Sequence, residues 1–300
     1  PGAGRRKRPQ QGPLTEPVLI VTMTMACYYF IAWVQDEQHL ALVWCAACTF
    51  LATLARYDGW VMFLAFLLLI VVIGLLKHRS RVQIEANAIL FGSLGGLGIA
   101  LWLLWNQMIF GDALYFARGP YSAQAQQQSY IEAGTLYGYH NLGEAIRFYA
   151  IDALEVVGPL IFVLGLVALV AFILRQRLSG ETLALLAFLA PSAFYIYSMF
   201  SGQAIMFVPG AEPASSTVRD LFNVRYAAVV VAPAAIYIAT LLRRLPLAQF
   251  GLMGVLLVQM ALTVHGGIIT LQDGQYGQSC APSNATTIYL AQHYNGGRIV

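Results

Sequence analysis

Charged residues divide the chain into long apolar stretches. Eight intervals contain no Asp, Glu, Lys or Arg and are dominated by apolar side chains: 17–35, 38–55, 59–76, 86–111, 156–174, 182–211, 226–242 and 245–272. A helix that crosses a bilayer needs about 20 mostly apolar residues, within a range of roughly 17–25. A ninth charge-free run, 274–297, is rich in Gln, Ser, Asn, Gly and Thr, so it lacks the apolar character of a span. The pattern predicts an all-α polytopic membrane protein with about eight transmembrane helices. Pro159, Pro191 and Pro233 fall within three spans, where a missing backbone donor kinks a helix. Gly92, Gly95, Gly96 and Gly98 in the fourth permit close helix approach.

Composition agrees with this reading. Only 10% of the 300 residues are charged and 59% are hydrophobic, against roughly 25% charged in an ordinary soluble domain. The mean hydropathy of +0.66 excludes a disordered chain. A net charge of +3, with no basic face of interleaved aromatics, gives no reason to expect a nucleic-acid partner. The Cys45/Cys48 pair lies on an apolar helix without a second pair, so packing is the simpler reading than metal or redox chemistry.

Basic connections set the orientation. Lys77-His78-Arg79-Ser80-Arg81, Arg175-Gln176-Arg177 and Arg243-Arg244 follow the third, fifth and seventh spans, which places all three on one side, the cytoplasmic one. Arg5-Arg6-Lys7-Arg8 dissents and is outvoted. Residues 1–16 are then an outer or truncated segment, 17–272 the helical membrane domain with a long outer connection at 111–155, and 273–300 the start of a non-cytoplasmic soluble domain. In that tail Thr286 to Tyr294 reads as a short helix stopped by Gly296-Gly297, and Arg298 opens a strand, an α/β beginning. Pro1 and the interrupted strand make the chain read as a piece of a longer protein.

On this topology, polar residues gather at the outer ends of spans. Glu16 precedes the first span, and Arg56-Tyr57-Asp58-Gly59 connects the second to the third. Asn106, Asp112, Tyr115, Arg118 and Tyr121 follow the fourth, while Asn223, Arg225 and Tyr226 open the seventh. Arginine gives bidentate contacts to phosphate oxygens. A carboxylate serves as a base or holds a divalent cation. Each position also has a plainer reading: an ion pair in a turn for Arg56 and Asp58, a helix-end anchor for Arg225, a turn residue for Asp112, and a dipole-favoured N-terminal charge for Glu16. The five histidines show no metal-site spacing, and Asn284-Ala285-Thr286 is a glycosylation sequon on the outer side.

Several strings, in order, resemble the polyprenyl-phosphate-sugar-dependent membrane glycosyltransferases of the GT-C superfamily, in the branch of protein O-mannosyltransferases and lipid A aminoarabinose transferases. They are Leu14-Thr15-Glu16-Pro17, Leu54-Ala55-Arg56-Tyr57-Asp58-Gly59-Trp60, Trp105-Asn106, Phe110-Gly111-Asp112-Ala113-Leu114-Tyr115-Phe116, Gly119-Pro120-Tyr121-Ser122 and Phe222-Asn223-Val224-Arg225-Tyr226. The resemblance implies a multi-pass protein of the cell membrane or envelope. Its donor would be a polyprenyl-phosphate sugar, its acceptor a lipid, protein or glycan, and its active face non-cytoplasmic. Glu16 matches an acidic residue of the second outer loop and, with Asp58, is a candidate catalytic carboxylate. Arg56 and Arg225 sit where basic residues hold the donor's phosphate, and Tyr57, Asn106, Asp112, Tyr115, Arg118, Tyr121, Asn223 and Tyr226 are candidate substrate contacts. The main catalytic carboxylate of such enzymes lies in the first outer loop, upstream of Pro1, so the chain alone is expected to be inactive. A divalent cation is an open expectation. The alternatives are a transporter or flippase for a lipid-linked or small anionic solute, and a non-catalytic membrane subunit.

Overall fold

The computed structural model describes residues 15–175, 179–207, 223–243, 246–266 and 293. Among these residues the structure is helical, with no strand. The tail in which an α/β beginning is expected, 267–300, lies outside the described residues apart from His293.

The first three helices form an antiparallel group: α1 (Glu16–Asp36), α2 (His39–Ala55) and α3 (Asp58–Leu76). The connections are only two residues long, so their ends are forced to alternate. The fourth apolar interval is divided between α4 (Arg81–Gly95) and α5 (Leu97–Phe110), bent by 47°. Two short helices follow, α6 (Tyr115–Arg118) and α7 (Ala123–Glu132). Beyond them α8 (Leu142–Val157) runs into α9 (Pro159–Arg175) through a 117° bend. Next come α10 (Gly180–Ala187) and α11 (Ala190–Phe200), which meet at 41°. A 3-10 segment, Val224–Val230, continues into α12 (Val231–Leu242), and α13 (Pro246–Gly266) closes the described bundle.

Four helical segments are long and apolar enough to cross a membrane, and up to seven if each bent pair forms one span. This is fewer than the eight expected. The 17-residue α2 is short, and three other intervals are divided at a break. The breaks occur where the backbone demands them. Pro159 starts α9 and Pro191 lies in the first turn of α11, positions where proline's missing N–H removes no helical bond. Gly158 before the sharpest bend has a φ of 82°, in the left-handed region open to glycine.

The core is built around α1. Leu19, Met23, Phe30 and Trp33 are buried along it, and Phe30 stacks on Phe66 of α3 with ring centroids 4.5 Å apart. Phe63 of α3 stacks in turn on Phe91 of α4. At the far end of α1, Lys77 donates to the Val34 carbonyl at 2.7 Å and pairs with Glu37, which also binds Arg79. The Lys77 end and the Glu16 end are therefore opposite poles of the same helix group.

Of the four long apolar segments α13 is the least embedded, and Gln259 is the one buried residue among its described side chains. Gln259 Oε1 accepts from the Leu160 N–H at 3.3 Å, and its amide donates to Thr263 at 3.2 Å. Leu160 is in the first turn of α9, where backbone donors have no helical partner. Gln259 thus caps the α8–α9 elbow across 99 residues of sequence. Gln259→Leu should leave that part-buried donor without its partner and cost about 1 kcal/mol, read as a lowered thermal midpoint. An unchanged midpoint would remove the capping role.

Candidate functional site

The Glu16 pole carries a ladder of charged and phenolic groups from five elements. Its centre is Arg56, in the connection between α2 and α3. A short turn places this residue: the Arg56 N–H closes α2 on the Ala52 carbonyl, and Asp58 then opens α3. Arg56 Nε donates to Asp58 Oδ2 at 3.0 Å, Nη1 to Glu16 Oε1 at 2.6 Å, and Nη2 to the Tyr195 hydroxyl at 3.0 Å. Tyr195, from α11, donates its own proton to Asp58 Oδ2 at 2.8 Å. Arg56, Asp58 and Tyr195 form a closed ring of hydrogen bonds.

The ladder continues outward through Glu16. Its Oε1 also lies 3.3 Å from Arg225 Nε, carried by the 3-10 segment after Asn223. Arg225 is the most exposed of the four charged side chains at 33%, against 18% for Arg56, 8% for Glu16 and 2% for Asp58. Below these groups, Tyr226 stacks on Tyr195 at 5.2 Å and Tyr195 on Tyr149 at 6.3 Å, in three nearly parallel planes. The Arg56 guanidinium sits 4.4 Å from the Tyr226 ring centroid, within cation–π range. Burial opposes the charge on Arg56, but Tyr195, Asp58, Tyr226 and Glu16 together outweigh it and hold the guanidinium above its ordinary value.

Five of the sequence-derived candidates therefore meet: Glu16, Arg56, Asp58, Arg225 and Tyr226. Tyr57 leaves the same turn toward a different cluster. It stacks on Phe116 at 5.4 Å and meets Trp60 and Trp102 edge-on, which ties the connection after α5 to the site turn. Burial pushes its phenol upward. Asn106 is buried and donates to the Trp102 carbonyl within its own helix. Asp112 accepts from the Leu114 N–H at 2.9 Å, a turn role, and Tyr115 stacks on Phe110 at 4.2 Å. Arg118 and Tyr121 are exposed. Asn223 has a φ of 59° and donates to the Ile205 carbonyl at 3.1 Å, anchoring the start of the 3-10 segment.

Three residues join the site without having been read from sequence: Tyr195, Tyr149 and Asp152. Tyr149 and Asp152 belong to α8, whose buried residues are Ala145, Phe148, Tyr149, Asp152 and Ala153, one face of a helix packed on α11 and the 3-10 segment. Asp152 is fully buried and electrostatically close to Tyr149. Part of the 111–155 connection is thus a helix packed against the site through Tyr149. The signal lay in the helical spacing, with Asp152 the single charge on that apolar face. Glu16 and Asp58 are the carboxylates from which a cation site would have to start, and both are engaged by arginine. Among the described residues, no three His, Cys, Asp or Glu side chains come together as a metal-holding group.

Gly59, directly after the ladder, is where α3 crosses the end of α2. A Cβ there would overlap the Ala52 carbonyl, a backbone group unable to move aside cheaply. Gly59→Ala should therefore cost about 1–3 kcal/mol by overpacking, seen as a lower thermal midpoint. A wild-type midpoint would show that the two helices separate without penalty.

The fold and site define a helical bundle with four to seven candidate spans and a buried carboxylate–arginine–tyrosine ladder at one pole. No protein-family model, no curated protein and no solved structure matches the chain.

Proposed function

We propose that the chain acts as an integral-membrane glycosyltransferase of GT-C type. It would transfer a sugar from a polyprenyl-phosphate donor to a lipid, protein or glycan acceptor on the non-cytoplasmic face. The observation that carries this reading is the meeting of Glu16, Arg56, Asp58 and Arg225 from separate elements at one pole of an apolar bundle. A reaction between a membrane-held phosphate and a polar acceptor needs cationic and acidic groups together at the bilayer boundary. Tyr57 and the two tryptophans against it, Trp60 and Trp102, are residue types that settle at that boundary.

In the proposed reaction, a carboxylate of the first outer loop takes the proton of the acceptor hydroxyl or amine. The acceptor's lone pair forms a bond to the anomeric carbon. The bond from that carbon to the phosphate oxygen breaks, and its electron pair leaves with the polyprenyl phosphate. Arg225, the most exposed cation of the ladder, stabilises the charge that develops there. Such an interaction is stronger at a low-dielectric boundary than in water. Arg56 holds Glu16 and Asp58 in place, and Glu16 orients the acceptor.

The test is transfer of labelled sugar from a polyprenyl-phosphate donor by the full-length protein in lipid nanodiscs. Arg225→Ala should lower kcat/KM by about 100-fold, the scale of losing one donor that stabilises transition-state charge. Unchanged transfer would remove the phosphate assignment, and no transfer by the intact protein would remove the reading itself.

A further inference from the structure

Resting on that reading, we propose that Glu16 is a built-in competitor at the phosphate site. Its carboxylate engages Arg225, the arginine that the donor's phosphate would use, so donor affinity depends on displacing it from that contact.

Charge and geometry both point this way. The ion pairs of the ladder set two carboxylates, Glu16 and Asp58, against two arginines, Arg56 and Arg225, with the buried Asp152 beyond them. An incoming phosphate meets arginines already paired with carboxylates. Any attraction must come from rearranging one of these contacts, and the contacts differ in how readily they yield. Arg56 is held from three directions, by Asp58, Glu16 and Tyr195, and lies over Tyr226. It has no room to turn toward solvent without breaking that ring. The Glu16–Arg225 contact is the longest of the three ion pairs, at 3.3 Å against 2.6 Å and 3.0 Å, and Arg225 is the most exposed partner. This contact is the one a phosphate would replace.

The two carboxylates are therefore not equivalent. Asp58 is locked between Arg56 and Tyr195. Glu16 spans both arginines through one oxygen, so neutralising it removes the carboxylate that faces Arg225, the cation most open to the phosphate. An amide in its place keeps the side-chain shape and an oxygen for Arg56. The prediction runs against the usual result of deleting a candidate catalytic acid: binding improves while turnover falls.

The experiment measures equilibrium binding of farnesyl phosphate to the full-length protein, with farnesol as the control that lacks the phosphate. Glu16→Gln should bind farnesyl phosphate about tenfold tighter, the scale of one unit charge removed several ångströms away at a partly solvated site. The farnesol control should not change, and sugar transfer should fall. Adding Arg225→Ala to Glu16→Gln should abolish the gain. Glu16→Asp, which shortens the reach to Arg225 but keeps the charge, should give a smaller gain in the same direction and serves if the amide variant does not fold. Unchanged or weaker binding by these Glu16 variants, with wild type still preferring farnesyl phosphate over farnesol, would overturn the competitor role alone. If no variant and no wild-type protein distinguishes farnesyl phosphate from farnesol, the donor reading falls, and this inference with it.

Discussion

Arg56→Ala should destabilise the protein by about 3–5 kcal/mol, the cost of breaking a buried ion pair by removing one partner. The reason lies with the residues left behind. Glu16 and Asp58 are both buried, and Arg56 supplies the nearest cation to each, at 2.6 Å and 3.0 Å. Without it, Asp58 keeps only the Tyr195 hydroxyl on Oδ2, while its Oδ1 has no hydrogen-bond partner even in the intact ring. Glu16 keeps the longer contact to Arg225. Tyr226 also loses the guanidinium above its ring. Arg56→Lys should recover only part of the loss, because an ammonium is a point charge and cannot reproduce a fork directed at Asp58, Glu16 and Tyr195 at once. Thermal unfolding in one detergent, compared across wild type, Arg56→Lys and Arg56→Ala, should rank the midpoints in that order. An Arg56→Ala midpoint equal to wild type would mean that the two carboxylates are hydrated in solution and that the ladder is not a unit.

Much of this arrangement is legible in the chain because charge is so scarce. With few ionised side chains available, each one between apolar runs marks a helix end, and Glu16, Arg56, Asp58 and Arg225 meet because antiparallel helices with short turns bring alternate ends together. Proline positions likewise anticipate breaks, at Pro159 and Pro191, whereas the bend at Gly95-Gly96 falls among glycines whose spacing speaks only of close helix approach. Sequence reasoning fails where direction matters. Tyr57 stands between Arg56 and Asp58, yet it faces Phe116 and Trp102, because successive residues in a tight turn leave it on different sides. It also fails where an interval boundary is drawn at a charge. Ending the apolar interval at Glu155 puts α8 into a connecting loop and hides the face carrying Tyr149 and Asp152. Tyr195 was hidden differently. In Phe194-Tyr195-Ile196-Tyr197 the two tyrosines are indistinguishable by type, but Tyr195 is buried and Tyr197 is 60% exposed. Only the rotation of α11 against its neighbours decides which one joins the ladder.

That rotation makes Tyr195 the subject of the second large effect. Tyr195→Ala should cost about 3–5 kcal/mol, the range for removing a large buried aromatic side chain. Tyr195→Phe should cost less, about 1–3 kcal/mol, because the ring stays between Tyr149 and Tyr226 and only the hydroxyl is lost. The hydroxyl has a specific task, accepting from Arg56 and donating to Asp58 in the same ring. Its effect should therefore depend on Asp58. In an Asp58→Asn background, Tyr195→Phe should cost measurably less than in wild type, since the two changes remove overlapping hydrogen bonds. Sites that act independently add to within about 0.3–0.5 kcal/mol. Chemical or thermal unfolding of the four proteins of this cycle gives the coupling directly. A coupling within that margin would make Tyr195 a packing residue whose hydroxyl contributes nothing to the ladder. A larger one would mark it as the residue through which α11 fixes the charged turn.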